Sequence, residues 1–298
     1  MKKILAVAAL VLPLTSFAGE MALDLQFDED GKATPVTTYA HDWSENFFSR
    51  VKYRGLALTE TDTVAETTLE GAKSAKTINE QFVQLSLLAY QHKSDSINWA
   101  VSGGVELIRI ESNEFAYGKI PNTTDLFAID TQVETTSTRP LVGAELGFNS
   151  DYFSIKGAID LKPGGSLSVK TDTDVEYTSS VAGKSDNSYS ADLAYGVQIN
   201  GLLKTGMGFD FGFGAEYDLL PLKYDVAQLN GSADAFTTST QELDEITTRY
   251  SVRFILGHKT DMGRPMIGMT QETLTTKTSD STNEETINYL VLGFDKRF

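Results

Sequence analysis

Apolar residues recur at every second position from 207 to 217: Met207, Phe209, Phe211, Phe213, Ala215 and Tyr217 alternate with Gly208, Asp210, Gly212, Gly214 and Glu216. A period of two sustained this long excludes a helix face and requires a strand with one greasy side. The pattern returns at 189–199, where Tyr189, Ala191, Leu193, Tyr195, Val197 and Ile199 form the apolar set. It returns again in the final NYLVLGFDKRF, with Leu290, Leu292, Phe294, Lys296 and Phe298 on one side and Tyr289, Val291, Gly293, Asp295 and Arg297 on the other. Such runs of roughly 10–13 residues exceed the usual soluble strand of about 5–6.

The same test places strands at 20–28, 34–42, 47–59, 78–92, 96–110, 140–149, 151–162, 188–201, 206–219, 245–259, 263–276 and 285–298. Their links sort into two kinds. Tight turns fall at Trp43 to Asn46, Lys93 to Asp95, Asn149-Ser150, Leu202 to Thr205 and Thr260 to Met262. The alternate links, 60–77, 111–139, 163–187, 220–244 and 277–284, are read as long loops rich in Ser, Thr, Asp, Glu and Gly, with only that at DEDGK, Asp28 to Lys32, short. Short turns at one end and long polar loops at the other are the pattern of an antiparallel transmembrane β-barrel. A soluble sandwich gives no reason to segregate loop lengths. Twelve strands are expected; a ten-strand barrel with 19–45 as a periplasmic or lumen-filling segment is the alternative, and the short DEDGK hairpin favours twelve.

Residues 1–18, MKKILAVAALVLPLTSFA, read as a secretory signal peptide cleaved after Ala18: two lysines, an apolar run too short for a membrane helix, then small residues. The barrel then occupies 19–298. Of the 25 Lys and Arg, Lys2 and Lys3 leave with the signal, so 23 bases face 41 acids, a formal charge of −18 on the mature chain. Such a surface repels phosphate backbones, and nucleic acid is excluded as a partner. With no cysteine there is neither disulfide nor thiolate metal site. The acidic stretches Asp172 to Glu176 and Asp28 to Lys32 lack the full ligand spacing of a calcium loop, and no cofactor or metal is expected.

The export signal, the alternating strands and the terminal aromatic strand make the chain resemble Gram-negative outer-membrane β-barrel proteins, over essentially all of 20–298. The resemblance implies an outer-membrane location among lipid and lipopolysaccharide. It also implies insertion by the barrel assembly machinery, with Phe294 and Phe298 in the assembly signal and Lys296 where another hydrophobic residue often stands. It leaves the subfamily and the oligomeric state open.

In a barrel every second residue points into the lumen. The inward candidates are Arg50, Lys52 and Arg54 in one row, with Lys156, Arg249, Arg253 and Arg297. The inward acids are Glu106, Glu145, Asp160, Asp192, Asp210, Glu216, Glu272 and Asp295. Two readings compete. The bases line a porin-like channel for small hydrophilic solutes, or they pair with facing acids in a closed, surface-structural or adhesion barrel. Inward glycines, Gly196, Gly208, Gly212 and Gly214, leave room opposite long side chains. An enzyme is not expected: His41, His92 and His258 all fall beside the short turns, and neither a Gly-x-Ser-x-Gly nor a His-Glu-x-x-His stretch is present.

Overall fold

The computed structural model describes residues 19–62, 70–94, 96–119, 126–176, 180–232, 235–278 and 281–297; residues 1–18, expected to be a signal peptide, and Phe298 lie outside the described residues. Its strands are β1 (Gly19–Phe27), β2 (Ala33–Asp42), β3 (Phe47–Asp62), β4 (Glu70–Lys93), β5 (Ile97–Lys119), β6 (Leu126–Asn149), β7 (Phe153–Lys162), β8 (Gly165–Glu176), β9 (Ser180–Ala191), β10 (Ala194–Lys204), β11 (Phe209–Ser232), β12 (Ala235–His258), β13 (Arg264–Lys277) and β14 (Thr282–Arg297). Twelve of them form a ring in the order β5-β4-β3-β2-β1-β14-β13-β12-β11-β10-β7-β6, closed by the β5–β6 ladder. All pairings are antiparallel, and β1 meets β14 from Glu20↔Arg297 to Phe27↔Leu290. Closure removes every exposed edge at the level of the ring.

The remaining two strands continue the ring outward. β7 and β8 run in the same direction along β6, paired from Val142↔Leu161 and then from Thr138↔Ser166. Between them the ladder slips by one residue at Pro163-Gly164, where Pro163 has no N–H to donate and Gly164 takes φ 84°. Opposite this break, Asp192 and Leu193 separate β9 from β10. β9 pairs with β8 alone, so above this level β9 and β11 share no ladder.

Ladders also replace three of the expected long loops. β4 and β5 pair as far as Glu70↔Lys119, β5 and β6 to Lys119↔Leu126, and β11 and β12 to Ser232↔Ala235. In sequence these outer segments are rich in Ser, Thr, Asp, Glu and Gly, which dilutes the greasy alternation that marks a strand. The link expected at 277–284 is a tight turn in which Thr278 N donates to Ser281 O.

The outer wall is apolar over most of the ring: Val51, Trp99, Leu146, Ile155, Val197, Phe211, Phe213, Phe254, Ile267, Met269, Leu290 and Leu292 are all exposed. A soluble protein would bury such side chains; a wall of them fits a surface whose solvent is lipid. At the short-turn end the aromatics gather. Phe47 packs on Tyr90, Tyr90 on Trp99 and Phe148 on Phe153, at centroid distances of 5.4–5.5 Å. Each histidine joins this girdle, His41 on Trp43, His92 on Trp99 and His258 on Phe209. This is the interfacial aromatic belt expected near the turns.

Candidate functional site: the charged lumen

Strand parity carries the charges inward as the sequence suggests, and the registers decide whom they meet. On β3, Arg50, Lys52 and Arg54 alternate with Val51 and Tyr53 and each reaches a different acid on another wall. Arg50 pairs with Glu145 of β6, which also receives Lys156 of β7 at 2.5 Å. Lys52 Nζ lies 2.9 Å from Glu216 of β11. Arg54 donates to both oxygens of Glu272 on β13 at 2.9 Å.

In the closed ring, β3 and β11 stand six strands apart in either direction, as do β4 and β12. The Lys52–Glu216 pair therefore spans the full diameter. A second diametral pair joins Arg249 Nη2 of β12 to Glu80 of β4 at 3.1 Å, and Arg249 Nε also approaches Glu272 at 3.2 Å. Arg253 meets Asp24 of β1 at 2.8 Å, and Arg264 lies between Asp210 and Asp295. Three like charges in a row repel, and here every one is neutralised across the barrel.

The inner glycines provide the space these side chains use. A Cβ at Gly196 would collide with Asp218 Oδ1, one at Gly214 would sit 2.7 Å from Asn200 Oδ1, and one at Gly212 would enter the Ile255 side chain. Neighbouring side chains fill that room. Gly208 belongs elsewhere: it sits in the short turn with φ 86°, not on the lumen wall.

Of the expected inward residues, Arg50, Lys52, Arg54, Glu106, Glu145, Lys156, Asp210, Glu216, Arg249, Arg253, Glu272 and Asp295 all enter ion pairs. Asp160 accepts instead from Gln84 Nε2 at 3.0 Å. Asp192 is a correction: it lies in the break between β9 and β10 and is exposed, because the even alternation Ser190, Asp192, Ala194 continues in sequence across a ladder that does not. Arg297 is described as the strand-end partner of Glu20, and its side chain lies outside the described ones.

The structure adds Asp24, Glu80, Arg139, Lys162, Asp218 and Arg264. Asp24, Glu80, Lys162 and Asp218 were legible, since they continue the inward parity of strands already recognised. Arg139 was not, because the strand was expected to begin after it.

Exposure divides the lumen into two zones. The Lys52 and Glu216 side chains keep 27% and 32% of their surface, so the diametral pair borders open space in the lumen. Toward the outer end the wall is dry: Lys162 and Glu106 pair at 2.6 Å with 4% and 0% exposure, beside buried Leu141, Leu167, Val169 and Ala194.

No protein-family model matches the chain. No curated protein matches it in sequence. Among solved structures it is similar to the translocator domain of the autotransporter NalP from Neisseria meningitidis, at 12% identity, 94% coverage of this chain, 87% of that one and a TM-score of 0.46. It is also similar to the Pseudomonas putida toluene transporter TodX, at 8% identity, coverages of 94% and 89% and a TM-score of 0.48. A third is a Pseudomonas aeruginosa FadL homologue, at 9% identity, the same coverages and a TM-score of 0.45. With TM-scores below 0.5, the assignment as a barrel of the Gram-negative outer-membrane type rests on the closed twelve-strand ring and its apolar wall.

Proposed function

We propose that the chain is an outer-membrane channel that passes small hydrophilic solutes through its charged lumen, with the Lys52–Glu216 and Arg249–Glu80 pairs as its constriction. Its surroundings in this reading are lipid and lipopolysaccharide, with the barrel assembly machinery its partner during insertion. The observation that carries the reading is the partial exposure of the diametral Lys52–Glu216 pair inside the ring. A lumen needed only as filler is as stable, or more so, with well-packed apolar side chains. An ion pair that stays partly exposed keeps instead a polar path that opens when the pair parts.

The test is conductance of the purified protein in planar bilayers. A small current is expected from the native protein. Lys52→Met combined with Glu216→Gln removes one diametral pair without leaving a lone charge, and this variant should conduct several-fold more. Neutralising Arg50, Lys52 and Arg54 together leaves Glu216 without its cation and Glu145 and Glu272 with only Lys156 and Arg249, and should shift selectivity toward cations. The dry outer end, with Leu141, Leu167 and Val169 buried, favours a second reading, a structural barrel with a permanently closed lumen. Folded native protein and variants that are all silent would establish that reading and overturn the channel.

A further inference from the structure

At the level where the β9–β11 ladder is missing, one buried side chain bridges the gap. Arg139 of β6 is 1% exposed, and its Nη2 donates to Pro221 O of β11 at 3.2 Å, three strands away around the ring. Its Nε donates to Ser137 Oγ at 3.2 Å. Among the described residues no carboxylate pairs with this guanidinium, and Nη1 is buried without a hydrogen-bond partner. Its hydrogen bonds go only to neutral groups, with Glu106 and Asp192 within electrostatic reach but not paired to it, and a buried guanidinium so held is costly.

The acid that could relieve it is adjacent. Glu106 is the ladder partner of Arg139 on β5, is 0% exposed, and its Oε1 is likewise buried with no hydrogen-bond partner. It is held instead by Lys162 through Oε2. Lys162 in turn has a second acid 3.9 Å away, Asp218 of β11. It is also the last residue of β7 before the Pro163-Gly164 break, where the ladder already yields.

We propose that these four residues form a two-state ion-pair switch controlling the outer end of the barrel. In the state described, Lys162 occupies Glu106 and Arg139 ties β6 to Pro221 O, holding β11 against the hairpin of β8 and β9. In the other state Lys162 moves to Asp218, Arg139 takes Glu106, and the tie to β11 is released. Charge is conserved: two cations and two acids exchange partners, and the orphaned Nη1 and Oε1 satisfy each other. Two packed arrangements of nearly equal energy are what a small perturbation can tip. The switch is distinct from the diametral pairs and deepens the channel reading by placing a second closure outside them.

The absence of native cysteine makes the test direct. Thr136→Cys on the outward side of β6 and Leu219→Cys on β11, spin-labelled in the otherwise native protein, report the distance across the seam. Lys162→Met frees Glu106 for Arg139 and should add a longer-distance population, whereas Asp218→Asn removes the alternative partner of Lys162 and should leave only the short one. Glu106→Gln, which deprives Arg139 of its acid, should behave as Asp218→Asn and covers the case in which Lys162→Met folds poorly. In bilayers the open fraction should rise several-fold in Lys162→Met and fall in the other two. Distance distributions that coincide in all variants overturn the switch even if the channel conducts; distances that shift while every bilayer stays silent uphold it and overturn conduction.

Discussion

At the scale of single residues, what an ion pair contributes depends on where in the barrel it sits. Glu272 is nearly buried and serves two guanidiniums, accepting from Arg54 at 2.9 Å while Arg249 Nε lies 3.2 Å away. Glu272→Gln leaves Arg54 in a poorly solvated wall without its acid and Arg249 with Glu80 alone, and breaking a buried pair in this way costs about 3–5 kcal/mol. The Lys93–Asp42 pair near the short turns spans 3.1 Å with a half-exposed lysine. Asp42→Asn should change stability by no more than about 1 kcal/mol. Unfolding midpoints in guanidinium, measured on detergent-folded protein, check the contrast; equal shifts for the two variants would refute it. Parity in the sequence told which side Glu272 and Arg54 face, because each strand fixes that by itself. It could not tell that they meet, because partners four strands apart are set by the register of every ladder between them.

At the scale of the element, the places where alternation fails are as constrained as those where it holds. β4 is bulged between Ser86 and Leu88 against β5, and the neighbouring β3 shifts register between Phe48 and Arg50 at the same point. The bulge turns the inward set from Ala89 and Gln91 below to Ser86 and Gln84 above, which keeps Arg50 and Lys52 opposite inward residues of β4. It also presses the β4 backbone onto Gly104: a Cβ there would collide with Leu85 O and come within 2.8 Å of its carbonyl carbon and 3.0 Å of Ser86 Cα. Backbone cannot turn aside as a side chain does, so Gly104→Ala should lower the yield of folded barrel. Gly103, its outward neighbour with open space around it, should accept alanine. The fraction migrating as folded barrel in unheated electrophoresis distinguishes them, and equal yields would count against the bulge as the constraint. The limits of sequence legibility share this cause. The strands of the ring could be read because one face is greasy, whereas in the outer halves of β5, β6, β11 and β12 the alternation is diluted by Ser, Thr, Asp and Glu. At Asp192-Leu193 the sequence alternation runs on across the gap between β9 and β10, which misplaces Asp192.

At the scale of the whole molecule, the position of the barrel in the bilayer follows from where its aromatics gather. The chain has two tryptophans, Trp43 and Trp99, and both lie at the short-turn end with 69% and 40% of their surface exposed. Trp99 lies beside Tyr90 and His92, and Trp43 beside His41, with an Nε1–H donated to Ser49 Oγ. An indole with an apolar body and one polar donor is most stable at the boundary between acyl chains and headgroups. Beyond this belt, toward the outer end, the wall carries aliphatic and phenyl side chains such as Ile159, Val197, Phe213 and Phe254. Both tryptophans therefore report the same interface, and no other fluorophore of that kind obscures them. In vesicles of brominated phosphatidylcholine, their emission should be quenched most when the bromines sit near the glycerol end of the acyl chain and least when they sit near the bilayer centre. Replacing Trp43 by Phe should leave that depth profile unchanged, since Trp99 lies at the same level, while lowering the total signal. Strongest quenching at the centre would place the ring at a different height, and quenching by aqueous iodide alone would remove the barrel from the bilayer altogether.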